Sequence, residues 1–170
     1  RSKAVELLCW VKDHADGNKN KKGFRMLTLG WTDGNSFIPV AFNLLSSADS
    51  KVRINSVKAS IDKRSVGFKR RQNALSTSPD SALAMLKQAV AAGIKAKYVL
   101  FDSLFSFAIT IIKICKMNFH VIAMLKDTPK IYYTFNGKKK SLREAFITVR
   151  KRRGKAKYLA SVMVEMHDKE

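Results

Sequence analysis

The chain has 170 residues, 33 Lys and Arg against 13 Asp and Glu, a formal net charge of +20 and a pI near 10.2. Its 46% hydrophobic content is ordinary for one globular domain and excludes disorder throughout. The charge excess favours a polyanion such as DNA or RNA over an anionic membrane, for which no amphipathic basic helix stands out.

Other bulk features narrow the class further. The apolar run Ala108 to Cys115 is interrupted by Thr110 and Lys113 and falls far short of the ~20 residues needed to span a bilayer. No signal peptide opens the chain. Cys9 and Cys115 have neither CxxC nor zinc-ligand spacing, so a reducing compartment is expected. The chain starts at Arg1 without a methionine and stops at Glu170 directly after a strand-like run, which leads us to expect an internal piece of a longer protein.

Asp13-His14-Ala15-Asp16 carries metal-capable side chains, but Gly17, Asn18 and the lysines around it indicate a polar turn. Phe24 to Trp31 and Ser36 to Leu44 are apolar extended runs around Asp33-Gly34, a signal for a two-residue hairpin turn. Pro39 lacks a backbone donor, which places the second run at a sheet edge. Ser46 to Ser78 is polar and basic and reads as a long solvated connection. Ser78 as N-cap, Pro79 and Asp80 then open a helix that buries Leu83, Leu86, Ala89 and Val90 and stops at Gly93.

Lys97 to Phe101 and His120 to Leu125 are apolar on successive residues, the pattern of parallel strands buried on both faces. The helix Phe105 to Met117 joins them by a right-handed crossover. From residue 127 onward the pattern becomes a smaller β-containing unit. It holds a strand at Ile131 to Phe135, a turn at Asn136-Gly137, a capping box over Ser141 to Glu144, a basic turn at Lys151 to Lys157, and a strand at Tyr158 to Met166.

Asp102 follows the first parallel strand, at the carboxyl end where open α/β sheets place their ligands. A strand-end carboxylate there can bind a hard divalent cation, or cap the following helix, and the two roles can coexist. His120, at the start of an apolar strand, reads as a satisfied buried or edge histidine, and His167 lies in a charged tail. No Ser/His/Asp or Cys/His arrangement and no glycine-rich phosphate loop is present. Three basic stretches lack compensating carboxylates and are candidates for phosphate contact: Lys51, Arg53, Lys63, Arg64, Lys69, Arg70 and Arg71; Lys138, Lys139 and Lys140; and Arg150, Lys151, Arg152 and Arg153. None carries a base-reading motif.

GFRMLTLGWTDGNSFIPVAFNLLSS at 23–47, YVLFDSLFSF at 98–107, and the opening RSKAVELL and DHADGNKNKKGFR resemble DDE transposases of bacterial insertion sequences, in the branch whose catalytic core carries a β-rich insertion. The resemblance runs over essentially the whole chain. It implies an α/β (α+β) fragment of a ribonuclease-H-like mixed sheet of order 3-2-1-4-5. Residues 1–126 would form a partial catalytic core lacking strand 1, with 46–78 as a basic loop, and residues 127–170 would begin the insertion.

By the same resemblance Asp102 matches the second Asp of an Asp-Asp-Glu triad that holds two Mg²⁺ or Mn²⁺ ions. The implied function is phosphodiester cleavage at transposon ends and strand transfer into target DNA, by a protein that is a homodimer when intact, without membrane association, in the bacterial cytoplasm at the nucleoid. The first Asp and the Glu would lie outside residues 1–170, so this chain alone is expected to be inactive. Leu104 stands where the family commonly has Trp. The alternatives are a non-catalytic, basic nucleic-acid-binding module derived from such a transposase, and a structural-RNA-binding protein in which Asp102 only caps a helix.

Overall fold

A computed structural model describes residues 4–58, 60–128, 131–151, 154 and 160–167. The chain divides into two compact units, Arg1–Lys95 and Ala96–Glu170.

In the first unit, β1 (Cys9–Asp13) and β2 (Lys19–Gly23) form an antiparallel hairpin. Its connection is a 3-10 turn at His14–Asp16, closed by Gly17 and Asn18 in the left-handed region and by the Asp13 carboxylate, which accepts the Ala15 N–H at 3.0 Å. The larger hairpin pairs β3 (Arg25–Thr32) with β4 (Phe37–Leu45). Its register steps between Leu29↔Ala41 and Gly30↔Pro39, leaving Val40 as a bulge residue. A methyl added at Gly30 would sit 2.1 Å from Phe37 Cζ, so the exposed ring lies over the strand there only because residue 30 lacks a side chain.

Next come α1 (Val66–Ala74), capped by the Ser65 hydroxyl, and α2 (Ser78–Ala91). The helix α2 packs on β3 and β4 through buried Leu83, Met85, Leu86 and Ala89. Asn43 Nδ2 donates to Ser81 Oγ at 2.7 Å and Trp31 Nε1 donates to the Lys95 carbonyl at 3.0 Å, fixing that face of the sheet on the helix. On the opposite face Met26, Phe42 and Leu44 stay 69%, 63% and 47% exposed.

In the second unit β5 (Tyr98–Phe101) and β6 (His120–Ala123) pair in parallel across α3 (Ala108–Cys115). Thr110, Ile111 and Ile114 are buried, and α3 packs against β6. The paired Leu100 and Ile122 remain 67% and 55% exposed. The hairpin β7 (Tyr133–Phe135) and β8 (Lys138–Lys140) turns on Asn136 and Gly137, both at positive φ, as a two-residue turn of this hand requires. α4 (Leu142–Thr148) follows with the expected capping box, in which Ser141 and Glu144 exchange side-chain and backbone bonds.

Mixed helices and strands, the β3–β4 hairpin, the pairing of β5 with β6 and the α2 and α4 helices thus agree with the sequence. Several expectations do not. The parallel pair is covered on one face by α3 and is not buried on both, since Tyr98, Leu100 and Ile122 alternate as exposed positions. The β3–β4 connection is the four residues Asp33 to Ser36, because the Asp33 carboxylate accepts the N–H groups of Asn35 and Ser36 and closes a wider loop than Asp-Gly alone would make. The cap of α2 is Thr77, not Ser78. The 46–78 segment is no solvated loop. It contains α1, and its residues 52–54 are tied to the first hairpin by Trp10 N–H to Val52 O, Ile54 N–H to Leu8 O, and a Cys9↔Arg53 bridge.

The helix expected at 105–117 is split into a 3-10 turn, Ser103–Phe105, and α3. In place of the strand at 158–166 there is a single bridge, Thr134↔Glu165; residues 158–159 and most of the basic turn 151–157 lie outside the described residues.

Candidate functional site

Asp102 sits where β5 stops. The apolar YVLF run needs two-sided cover and ends abruptly at the first charged side chain, so the carboxylate emerges at the carboxyl end of the parallel pair. It is exposed and caps the turn Ser103–Phe105, with Oδ1 accepting the Leu104 N–H at 2.8 Å. Oδ2 takes no hydrogen bond among the described residues. The capping role is therefore occupied and half of the carboxylate remains open to a ligand.

The loop after Asp102 is folded back firmly. The Phe105 ring meets Phe101 edge-on at 6.1 Å, Ser106 is 1% exposed with its hydroxyl on the Ser103 carbonyl at 3.0 Å, and the Phe107 N–H reaches Phe105 O at 2.8 Å. Over the Phe107 ring, 4.5 Å from its centroid, stands the ammonium of Lys126, delivered from just beyond β6. Sequence reasoning missed this pair, because Phe107 and Lys126 lie on either side of α3 and β6 and no local pattern links them.

The other acidic and histidine candidates are spent on architecture. Lys21 bonds both Asp13, at 2.8 Å, and Asp16, at 3.1 Å; Lys19 bonds Asp16 at 3.1 Å. The Lys21 hydrogen bond is the main cause that holds each of these carboxyls below the usual carboxylate range. His14 bonds Asn18, His120 stands beside the Tyr98 ring, and His167 bonds Thr134. Among the described residues no group of three or more His, Cys, Asp and Glu gathers to hold a metal. Both cysteines are free, Cys9 buried and Cys115 exposed.

The first basic stretch, contrary to expectation, does have compensating carboxylates, Asp62 beside Arg64 and Glu6 beside Arg71, and the basic candidates separate by what their charges already do. Arg71 donates to Glu6 and to the Gly67 carbonyl, and that Glu6 bond lowers the carboxyl's pKa. Arg53 donates to Ser47 O at 3.3 Å, and Arg64 lies 3.5 Å from Asp62. Lys51 and Lys63 are exposed. Lys69 and Arg70 point outward from α1 and, with Lys58, border a groove of about 900 Å³ floored by Phe42, Leu44 and Val66.

In the second unit Lys138 is exposed, Lys139 lies over Tyr132 at 4.8 Å, Lys140 over Phe135 at 5.6 Å, and Lys151 over Phe146 at 4.6 Å. Arg150 is exposed, while Arg152 and Arg153 lie outside the described residues. No helix among the described residues is long and apolar enough to cross a membrane.

Residues 6–160 match the family model described as DDE superfamily endonuclease. No curated protein and no solved structure matches the chain.

Proposed function

The chain belongs to the DDE superfamily endonucleases, and from that premise we propose that it is part of the catalytic domain of a DNA transposase of the insertion-sequence type. In this reading residues 1–126 are a portion of a ribonuclease-H-like core, with β3–β4 as strands 2 and 3 and β5–β6 as strands 4 and 5. Residues 127–170 open its β-rich insertion. The antiparallel hairpin, the parallel pair and the apolar faces left bare on both sheets support this, since each sheet then awaits further cover and a joining strand.

The observation that carries the proposal is Asp102: a carboxylate with one oxygen open, at the carboxyl end of a parallel pair, in a chain of charge +20. Asp102 fits as one hard oxygen donor to Mg²⁺ or Mn²⁺, but the described residues gather no group of three or more metal-binding side chains around it, so the rest of a metal site would come from elsewhere in the intact protein. Two ions held between Asp102 and its partner carboxylates would supply activation of the attacking oxygen and stabilisation of the leaving one, one role each. This chain's own part is to hold the Asp102 carboxylate in place through the Leu104 N–H and the folded loop behind it, and to present lysines and arginines to the phosphates. The intact protein would act at the nucleoid as a homodimer, cleaving transposon ends and transferring the strand to target DNA.

Incubating the intact protein with supercoiled plasmid tests the proposal. Nicking and strand transfer that require Mg²⁺ or Mn²⁺ and stop on chelation are expected. Binding without nicking would leave a nucleic-acid-binding module in place of the enzyme.

A further inference from the structure

The carboxyl end of the parallel pair carries a second charged group that this chemistry has not used. Because Phe101 pairs with Ala123, the two strands deliver Asp102 and the segment ending at Lys126 to the same end of the sheet. The Lys126 ammonium is held over Phe107, and Phe107 closes the folded loop that Asp102 opens. The attraction is that of a cation for the negative face of the ring, which fixes the ammonium without neutralising it.

Lys22, Lys139, Lys140 and Lys151 are held over rings in the same way. Lys126 differs from them in following β6 at the carboxyl end of the parallel pair, and from the ion-paired cations in a charge left free among the described residues. The charges of Lys19, Arg64 and Arg71 stand against Asp16, Asp62 and Glu6. Lys126 forms no ion pair among the described residues, with Asp102 or with any other carboxylate. A half-buried, ring-held lysine loses less side-chain freedom when it takes a ligand than a free surface lysine does. The ligand such a group suits is an anion arriving at the same sheet end as the Asp102 carboxylate.

We propose that Lys126 is a phosphate-binding residue of the Asp102 site, its ammonium taking a non-bridging oxygen of the DNA backbone beside the phosphodiester presented to Asp102. This rests on the reading of Asp102 given above. Lys126 makes and breaks no bond; it offsets phosphate charge and sets the register of the strand.

Duplex DNA binding by the 170-residue chain, followed by fluorescence anisotropy over a salt series from about 50 to 200 mM, tests it. Lys126→Met keeps the apolar stem and removes the charge. Binding is expected to weaken severalfold, and the slope of log affinity against log salt to fall by about one. Lys126→Arg, which can stack on the same ring, is expected to restore both. Phe107→Leu leaves the charge but frees it, so the slope should hold while affinity drops about two- to threefold. Lys116→Met, which removes an exposed lysine just past the far end of α3, is expected to change neither.

Melting curves establish that each variant is folded, and Lys126→Gln takes the place of any Lys126→Met that is not. Wild-type affinity and slope in the folded, charge-free variant would overturn the assignment while leaving the Asp102 reading intact. Failure of the wild-type chain to bind DNA at all would instead overturn the nucleic-acid reading on which it rests.

Discussion

β3 and β5 are each followed by an aspartate that accepts backbone N–H groups of the next turn, but the two strand ends differ in kind. Asp33, after Thr32, accepts two backbone N–H groups, from Asn35 at 2.9 Å and Ser36 at 2.7 Å, and closes the hairpin loop. Asp102, after Phe101, accepts one, from Leu104, and in both residues the accepting oxygen is Oδ1. Both are exposed and both are turn residues, so neither burial nor local motif tells them apart. The difference is in what the strand pairs with. An antiparallel neighbour can be reached by a tight loop, which turns the chain straight back along the sheet and makes the aspartate part of the hairpin. A parallel neighbour is reached by a distant crossover, which leaves the strand end free. A carboxylate at the open end of a parallel strand is a better sign of chemistry than a cluster such as Asp13–Asp16, whose charges Lys19 and Lys21 already take.

The largest effect expected from pressing on this comparison lies in the hairpin. Gly30→Ala brings a methyl to 2.1 Å from Cζ of the exposed Phe37 ring, which must swing off the strand, and should destabilise the first unit by about 1 kcal/mol in denaturant unfolding. In the intact protein, cleavage per folded molecule should be unchanged.

A smaller loss should follow Asp33→Ala, which leaves two loop N–H groups without their acceptor. The hydrogen bonds from Ser36 and then Asn35 hold the Asp33 carboxyl below its ordinary value of 3.8. Its ionisation therefore contributes stability that is present above that ordinary value and is lost as pH falls through the lowered native one. Asp33→Asn retains an acceptor oxygen but cannot titrate. Melting temperatures from neutral pH down to about pH 2 should show a shallower acid limb for Asp33→Asn than for wild type. Parallel limbs would mean that the carboxylate does not close the loop.

Much of the fold was legible because it is local. The β3–β4 hairpin shows itself in two apolar runs around a turn, α2 in a proline and an acidic first turn, α4 in its capping box, and the parallel pair in strands apolar on every residue. What escaped depends on partners distant in sequence. β2 is KNKKG, with no apolar face to announce a strand, and forms because β1 pairs with it across a left-handed Gly17-Asn18 turn. α1 hid within a basic run because one of its arginines, Arg71, is neutralised by Glu6, 65 residues away in sequence. Asp102 could be placed by pattern. The Lys126 ammonium over Phe107 could not, since only the register of β5 against β6 brings the ends of both strands together.

The most direct measurement is cleavage and binding by Asp102→Asn in the intact protein, with thermal stability recorded alongside. Asparagine still caps the Ser103–Phe105 turn, so the stability change should be the smallest of the three, within about 0.5 kcal/mol. Binding to DNA should stay within severalfold, and metal-dependent cleavage should fall by at least about a hundredfold. Cleavage retained at the wild-type rate by a folded, DNA-bound Asp102→Asn protein would contradict the assignment of Asp102 as a catalytic carboxylate.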